Sequence, residues 1–219
     1  MKRFIILSVA LAAVFAAFAN DKKDANFEFG HNRYSFSGLL TSSNTYQLEA
    51  SYHYMFNRFI GVGGALGFWK VYYEQGHASG KDWTIDSDDN VPESLYLRPS
   101  LVLKSPAIKF RSVDIGLYAD PGAMLNVPYS SANIRQYTMW PDYDYKHIST
   151  NDGQWFAIDL RAGVYLNVGP LGFSAGYMMS NMDVYSRFRH LSYKGVSFSE
   201  FYPVMSFMQG AYLTLSYYY

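Results

Sequence analysis

The stretch QWFAIDLRAGVYLNV, residues 154–168, constrains the fold more than any other part of the chain. Phe156, Ile158, Leu160, Ala162, Val164, Leu166 and Val168 share one face of an extended backbone, while Ala157, Asp159, Arg161, Gly163, Tyr165 and Asn167 share the other. A period of two marks a β-strand with unlike faces. The apolar row is unbroken over the roughly 9–11 residues that a tilted strand needs to cross a bilayer.

The pattern recurs along the chain. In TYQLEASYHYMF, Tyr46, Leu48, Ala50, Tyr52, Tyr54 and Phe56 oppose Gln47, Glu49, Ser51 and His53. Similar reading predicts strands over 30–37, 45–56, 59–73, 94–104, 112–127, 154–168, 171–183 and 206–219. That is about the smallest strand number of an outer-membrane barrel. The expected fold is all-β: an eight-stranded antiparallel up-and-down transmembrane β-barrel.

The ends and the composition agree with this. In MKRFIILSVALAAVFAAFAN, Lys2 and Arg3 precede an apolar run, and Ala17-Phe18-Ala19 forms a small-x-small cleavage site. Residues 1–19 therefore read as a signal peptide and 20–219 as a single barrel domain, exported through the inner membrane. There is no cysteine, which rules out disulfides and thiolate metal sites. Eighteen basic against 18 acidic residues give no electrostatic case for nucleic acid. Tyr (21) and Phe (16) are abundant, and the stretch beyond residue 20 has no apolar run of helical-span length, so a membrane would be entered as strands.

The connections alternate in length. Short links follow the second, fourth and sixth strands: Asn57-Arg58, SPAIKFR and Gly169-Pro170. Long polar ones follow the third, fifth and seventh, and only GLLTSSN, after the first, is brief. Odd and even connections of such a barrel emerge on opposite rims, which matches short periplasmic turns and longer extracellular loops. The final strand, GAYLTLSYYY, closes the sheet on the first, because unpaired backbone groups in hydrocarbon cost several kcal/mol each. Its aromatic end resembles the signal read by the outer-membrane assembly machinery.

From about Phe27 to Tyr219 the chain resembles the outer-membrane β-barrel family of Bacteroidota, the porin family of small OmpA/OmpX-type barrels from Gram-negative cells. LRPSLVLKSPAIKFRSVDIGLYADPGAML is similar to that family's central hairpin, with Pro99, Leu101, Leu103 and Lys104 before the turn, departing from the commoner Pro-Leu-Leu-Lys form. DLRAGVYLNVGPLGFSAGYMMSNMDVY resembles a late hairpin running into an outer loop. The resemblance implies architecture, outer-membrane location and lipopolysaccharide as neighbour, and transfers no activity.

Opposite the lipid rows stand Glu49, His53, Arg98, Lys104, Asp114, Asp120, Asp159 and Arg161. They are expected to form a structural lumen network, with Tyr96, Tyr118, Tyr165 and Tyr212 among them, that plugs the barrel. In GVGGALG, Gly61, Gly63, Ala65 and Gly67 read as an inward row of small residues, not a dinucleotide loop, since Leu66 stands where the third glycine belongs. DSDDN lacks the turn glycine and the bidentate Glu of a calcium loop. Pro99 withholds a ladder donor, so a bulge or break is expected there. Lys70, on the lipid row, is placed near outer headgroups whose phosphates can pair with it.

Function is expected in the long loops, where Trp83, Tyr137, Trp140, Tyr143, Arg187 and Arg189 are candidates to contact an unidentified surface ligand. The same aromatics would equally serve as a cap on the barrel mouth. A monomer without cofactor, metal or catalytic residue is the reading carried forward. One alternative is a lipid A acyl hydrolase or transferase, using His147, Ser149 and Asp152, or His190, Ser192 and Glu200. The other is a soluble lipocalin-like barrel with inverted faces, which the period alone permits.

Overall fold

The computed structural model describes residues 30–73, 75–139 and 142–219. The expected signal peptide lies outside them. Eight long strands follow the alternating segments: β1 (Asn32–Thr41), β2 (Thr45–Met55), β3 (Ile60–Val71), β5 (Glu93–Lys104), β7 (Val113–Asn126), β10 (Phe156–Val168), β11 (Leu171–Ser180) and β14 (Met208–Tyr218). The other strands lie in the links between these eight: β4 (Trp83–Ile85), β6 (Ile108–Phe110), β8 (Ser130–Met139), β9 (Asp142–Thr150), β12 (Ser192–Tyr193) and β13 (Val196–Ser197).

Each long strand pairs antiparallel with the next, β10 pairs with β7, and β14 pairs with β1. The sheet is thus a closed eight-stranded up-and-down barrel. Closure runs from Arg33 opposite Tyr218 to Thr41 opposite Gly210, and the Asn32 N–H donates to the Tyr219 carbonyl at 2.9 Å. This pairing is what holds the Tyr-rich C-terminal strand. Among the described residues no helix is long and apolar enough to cross a membrane.

Alternation sets the two faces. β5 alternates exposed and buried without a fault, with Leu95, Leu97, Leu101 and Leu103 outside and Tyr96, Arg98, Ser100 and Lys104 inside. The small row on β3 makes room for large neighbours. A Cβ on Gly67 would lie 2.1 Å from Tyr96 Cζ, and one on Gly61 would lie 2.4 Å from Met55 Sδ. Gly122 on β7 does the same for the Arg98 guanidinium, 2.6 Å from a Cβ at that position.

Two local expectations are corrected, and a third takes one of its two forms. Pro99 makes a local break and no bulge: it keeps its place opposite Gly64 of β3, while on the other side the β5–β7 pairing passes from Leu97↔Leu125 to Ser100↔Gly122 in one register, skipping Arg98 and the proline. Lys70 is paired within the protein, 2.7 Å from Glu93 directly across the strand pair. The first strand does not stop at Ser37, because Leu39 and Thr41 continue its inward row to a turn at Asn44, where φ is 52°.

The long links also hold more structure than loops. β4, β8 and β9 form a three-stranded sheet, and 181–207 folds into a short helix, α1 (Ser186–Arg189), with the β12–β13 hairpin behind it. On the opposite rim, SPAIKFR contains β6, paired onto β7.

Candidate functional site: the lumen network and the outer cap

The mid-lumen is a chain of ion pairs contributed by strands far apart in sequence. Arg161 of β10 donates to both oxygens of Glu49 of β2, at 2.8 and 2.7 Å, and its Nε donates to Asp159 at 3.2 Å. Asp159 also accepts from Arg98 Nε at 2.8 Å, and Arg98 Nη2 lies 2.9 Å from Asp120 Oδ1. Tyr96 donates to Glu49 at 3.0 Å and Tyr118 to Asp120 at 2.6 Å. Arg98 is wholly buried and Asp159 nearly so. Charges taken this far from water persist only when paired and hydrogen-bonded.

The other lumen candidates take separate places. His53 Nε2 and Ser100 Oγ are 2.8 Å apart. Lys104 lies near the rim of the short links with its ammonium 4.6 Å from the Tyr165 ring and 4.5 Å from that of Tyr218, whose hydroxyl it also contacts. Asp114 is outside the network: it is half-buried at the same rim, opposite Asn167 and Lys109, and makes no ion pair among the described residues. Arg33, absent from the expected set, is buried in the lumen, donates to Ser216 at 3.1 and 3.0 Å and lies over the Tyr118 ring. The alternation of Arg33, Ser35 and Ser37 against Tyr34 and Phe36 was the signal for it.

Toward the long links the charges give way to a mixed lining, with Leu39, Trp69, Val71, Met124, Met178 and Met208 buried beside neutral Thr45, Gln47 and Asn126, and the long links fold over it. Trp83 stacks on Phe198, with ring centroids 5.9 Å apart and planes 9° apart, and meets Tyr193 edge-on. Tyr202 packs against Tyr185, Phe188 and Phe198, and its hydroxyl donates to Asn90 at 2.5 Å.

This arrangement corrects half of the contact set. Trp83 and Arg187 are buried. Arg187 donates to the Val127 and Tyr129 carbonyls and lies over Trp69, and burial pushes its guanidinium down to about 10. Arg189 is held by Asp183 at 2.5 Å and by the Pro203 carbonyl at 2.7 Å. These three are parts of a cap. Tyr137 and Tyr143 are exposed on the β8–β9 hairpin, next to Tyr145, and Trp140 lies outside the described residues.

One ion pair clamps β8 to the turn after β4, and a second joins the sheet to the β12–β13 hairpin. Burial opposes the Asp86 charge, but a 2.6 Å bond from Arg135 and the Asp88 N–H outweigh it and hold the carboxyl below its ordinary range. The hydrogen bond from Lys194 does the same for Asp82.

The loop histidines bond elsewhere than to the proposed nucleophiles. His147 reaches Asn133 at 3.1 Å and Tyr129 at 3.3 Å, and His190 reaches the Ser186 carbonyl at 2.8 Å. Among the described residues no cluster of side chains is arranged to hold a metal ion.

Fold and lumen together define the class, a small closed antiparallel β-barrel with a charged, filled interior and an apolar outer wall. No family model matches the chain, and none of the curated proteins compared with it matches either. Solved structures similar to it include the N-terminal β-barrel domain of Pseudomonas aeruginosa OprF, at 9% identity and TM-score 0.41 over 88% of this chain and 100% of that one. Neisserial surface protein A is similar at 10% identity and TM-score 0.42, over 86% of this chain and 96% of that one. A major outer membrane protein from Thermus thermophilus shows 12% identity and TM-score 0.45, over 86% and 99%. The barrel assignment itself rests on the strand pairing of this chain.

Proposed function

We propose that this protein is an outer-membrane β-barrel whose lumen is plugged by its ion network and whose outer surface serves interaction rather than transport or catalysis. The observation that carries the reading is the inverted distribution of polarity. Leu66, Leu97 and Leu117 are 59%, 57% and 65% exposed, while Arg98 and Asp159 are at most 1% exposed. A continuous apolar wall of this extent marks a lipid or protein contact surface. The long strands meet the roughly 9–11 residues that a tilted strand needs to span hydrocarbon.

Exposed aromatics at both rims support it. Tyr34, Tyr52 and Tyr217 gather at the rim of the short links, and Tyr72, Trp155 and Tyr177 at the other, as the interfacial girdles of such barrels do. On this reading the short links face the periplasm, the cap faces outward among lipopolysaccharide, and the C-terminal strand is what the assembly machinery recognises.

Planar-bilayer recording tests the plug: folded protein should give no large, steady conductance, and an open-channel current would overturn that reading. Release by osmotic shock without detergent, as a monodisperse species in plain buffer, would overturn the membrane assignment in favour of a soluble barrel. An acyl chain missing from, or added to, lipid A when the protein is expressed would move the reading to a lipid-modifying enzyme.

A further inference from the structure

We propose that β9 is a docking edge for a second copy of this chain, which pairs with it antiparallel about a two-fold axis through Tyr145. The inference deepens the surface-interaction reading above by naming the partner.

β9 lies at the outer edge of the three-stranded sheet, bonded to β8 on one side only. Six consecutive residues, Asp142 to His147, are exposed. A strand edge presents a row of unsatisfied N–H and C=O groups, a template for another strand unless it is blunted by charged side chains, proline, a bulge or cover. β9 carries Asp142, Asp144 and Lys146, so it admits only a strand whose charges oppose these. The described residues of β9 include no proline, and its single irregularity lies at the tip, between Tyr137 and Met139 of β8. Tyr143 and Tyr145 stiffen the outer face, their rings 5.4 Å apart at 88°, with Arg135 over Tyr143.

The charge pattern selects the partner. Asp144 and Lys146 make no ion pair among the described residues. In an antiparallel self-pairing centred on Tyr145, Asp144 of each copy stands opposite Lys146 of the other, and the two Tyr145 rings face one another. Tyr143 then stands opposite His147. Centring on Lys146 sets it against itself and leaves Asp144 opposite Ile148, centring on Asp144 sets that carboxylate against itself although Lys146 then meets Asp142, and a parallel in-register pairing sets like charges opposite at 142, 144 and 146; only the Tyr145 centre gives two opposite-charge pairs and no like-charge pair. Opposite charges across a strand pair stabilise it and like charges destabilise it. One register is therefore favoured over its neighbours by the sequence DYDYKH itself.

The chain has no cysteine, so single-cysteine variants of the folded protein in lipid nanodiscs or proteoliposomes read the register directly. Under mild oxidation Tyr145→Cys should give a disulfide-linked dimer. Tyr143→Cys should not, since its two copies would be offset by roughly 14 Å along the strands, beyond the ~7 Å limit for a disulfide. Adding Asp144→Lys to Tyr145→Cys should lower the dimer yield about tenfold, and adding Lys146→Asp as well should restore it. Heat-modifiable gel mobility confirms that each variant is folded. Absence of the dimer from folded Tyr145→Cys protein, equal cross-linking at 143, or coupling of Tyr145→Cys only to a different polypeptide would overturn the proposal. None of these results bears on detergent dependence or conductance, so membrane embedding and the plug stand or fall separately.

Discussion

The Arg161 guanidinium grips both oxygens of the Glu49 carboxylate, at 2.8 and 2.7 Å, although the two residues are 112 positions apart in the chain. Planar, two-point pairing of this kind is the strongest geometry open to the two groups. Because the pair is shared with Asp159 and Tyr96, its loss strands more than one buried group.

Removing one partner is expected to be worse than removing both. Glu49→Gln removes the two-point partner of Arg161 and leaves it the 3.2 Å contact with Asp159, which Arg98 shares, and should cost about 3–5 kcal/mol. A Glu49→Leu, Arg161→Met double variant should cost clearly less than the sum of the singles. Denaturant unfolding of protein refolded in lipid measures both. Equal and additive losses would mean that the pair is not coupled.

Packing at the glycine row gives a second prediction. A methyl on Gly67 meets the Tyr96 ring at 2.1 Å, so Gly67→Ala must displace the ring and its bond to Glu49. We expect a loss of about 1–3 kcal/mol. Gly38→Ala, on the same barrel with no heavy atom within 4 Å of the added carbon, is the control and should be close to neutral by the same unfolding measurement.

The outer wall should respond to charge according to depth. Leu97→Arg, near the middle of β5, should cost roughly 2–4 kcal/mol in a bilayer, against ~0–1 kcal/mol for Ile108→Arg at the inner link. A soluble barrel would tolerate both substitutions on its exposed face. Folding titrations in lipid vesicles decide between the two outcomes.

The cap should separate from the barrel. Trp83→Ala removes the ring that joins β4 to Phe198 and Tyr193, at a cost of about 3–5 kcal/mol to the cap. Limited proteolysis should then cut within 72–92 or 181–207, while the barrel keeps its heat-modifiable mobility. Loss of both together would mean that cap and barrel fold as one unit.

Acid should loosen the same region first. The carboxyl of Asp86 lies lower in the folded protein than the ordinary value of about 3.9. Its contribution is therefore fully present above that ordinary value and is lost as the pH falls through the lower, folded one. The protection factor of the β4 amides, the exchange rate relative to an unstructured amide at the same pH, should be unchanged between pH 7 and pH 5 and should fall below about pH 4. Asp86→Asn should remove that step and leave exchange in β4 faster at neutral pH.

The sequence by itself determined the barrel. Side-chain direction in a strand alternates with every residue, so QWFAIDLRAGVYLNV and its counterparts announce both the strand and which face is apolar. The parity of the link lengths then sorts the links onto two rims. Tertiary structure alone decided the pairing inside it. Arg161 finds its two-point partner in Glu49, 112 positions away, because barrel closure and strand stagger, not sequence distance, bring inward residues to one level. Asp114 and Arg33 show the same limit from opposite sides, one inward by pattern yet left at the rim, the other within the lumen. The cap was legible only as one of two equal readings of the loop aromatics. Trp83 and Arg187 have the composition of a contact surface, and only the meeting of two distant links, whose backbone groups must be paired wherever they are covered, turned them inward and left β9 as the open edge.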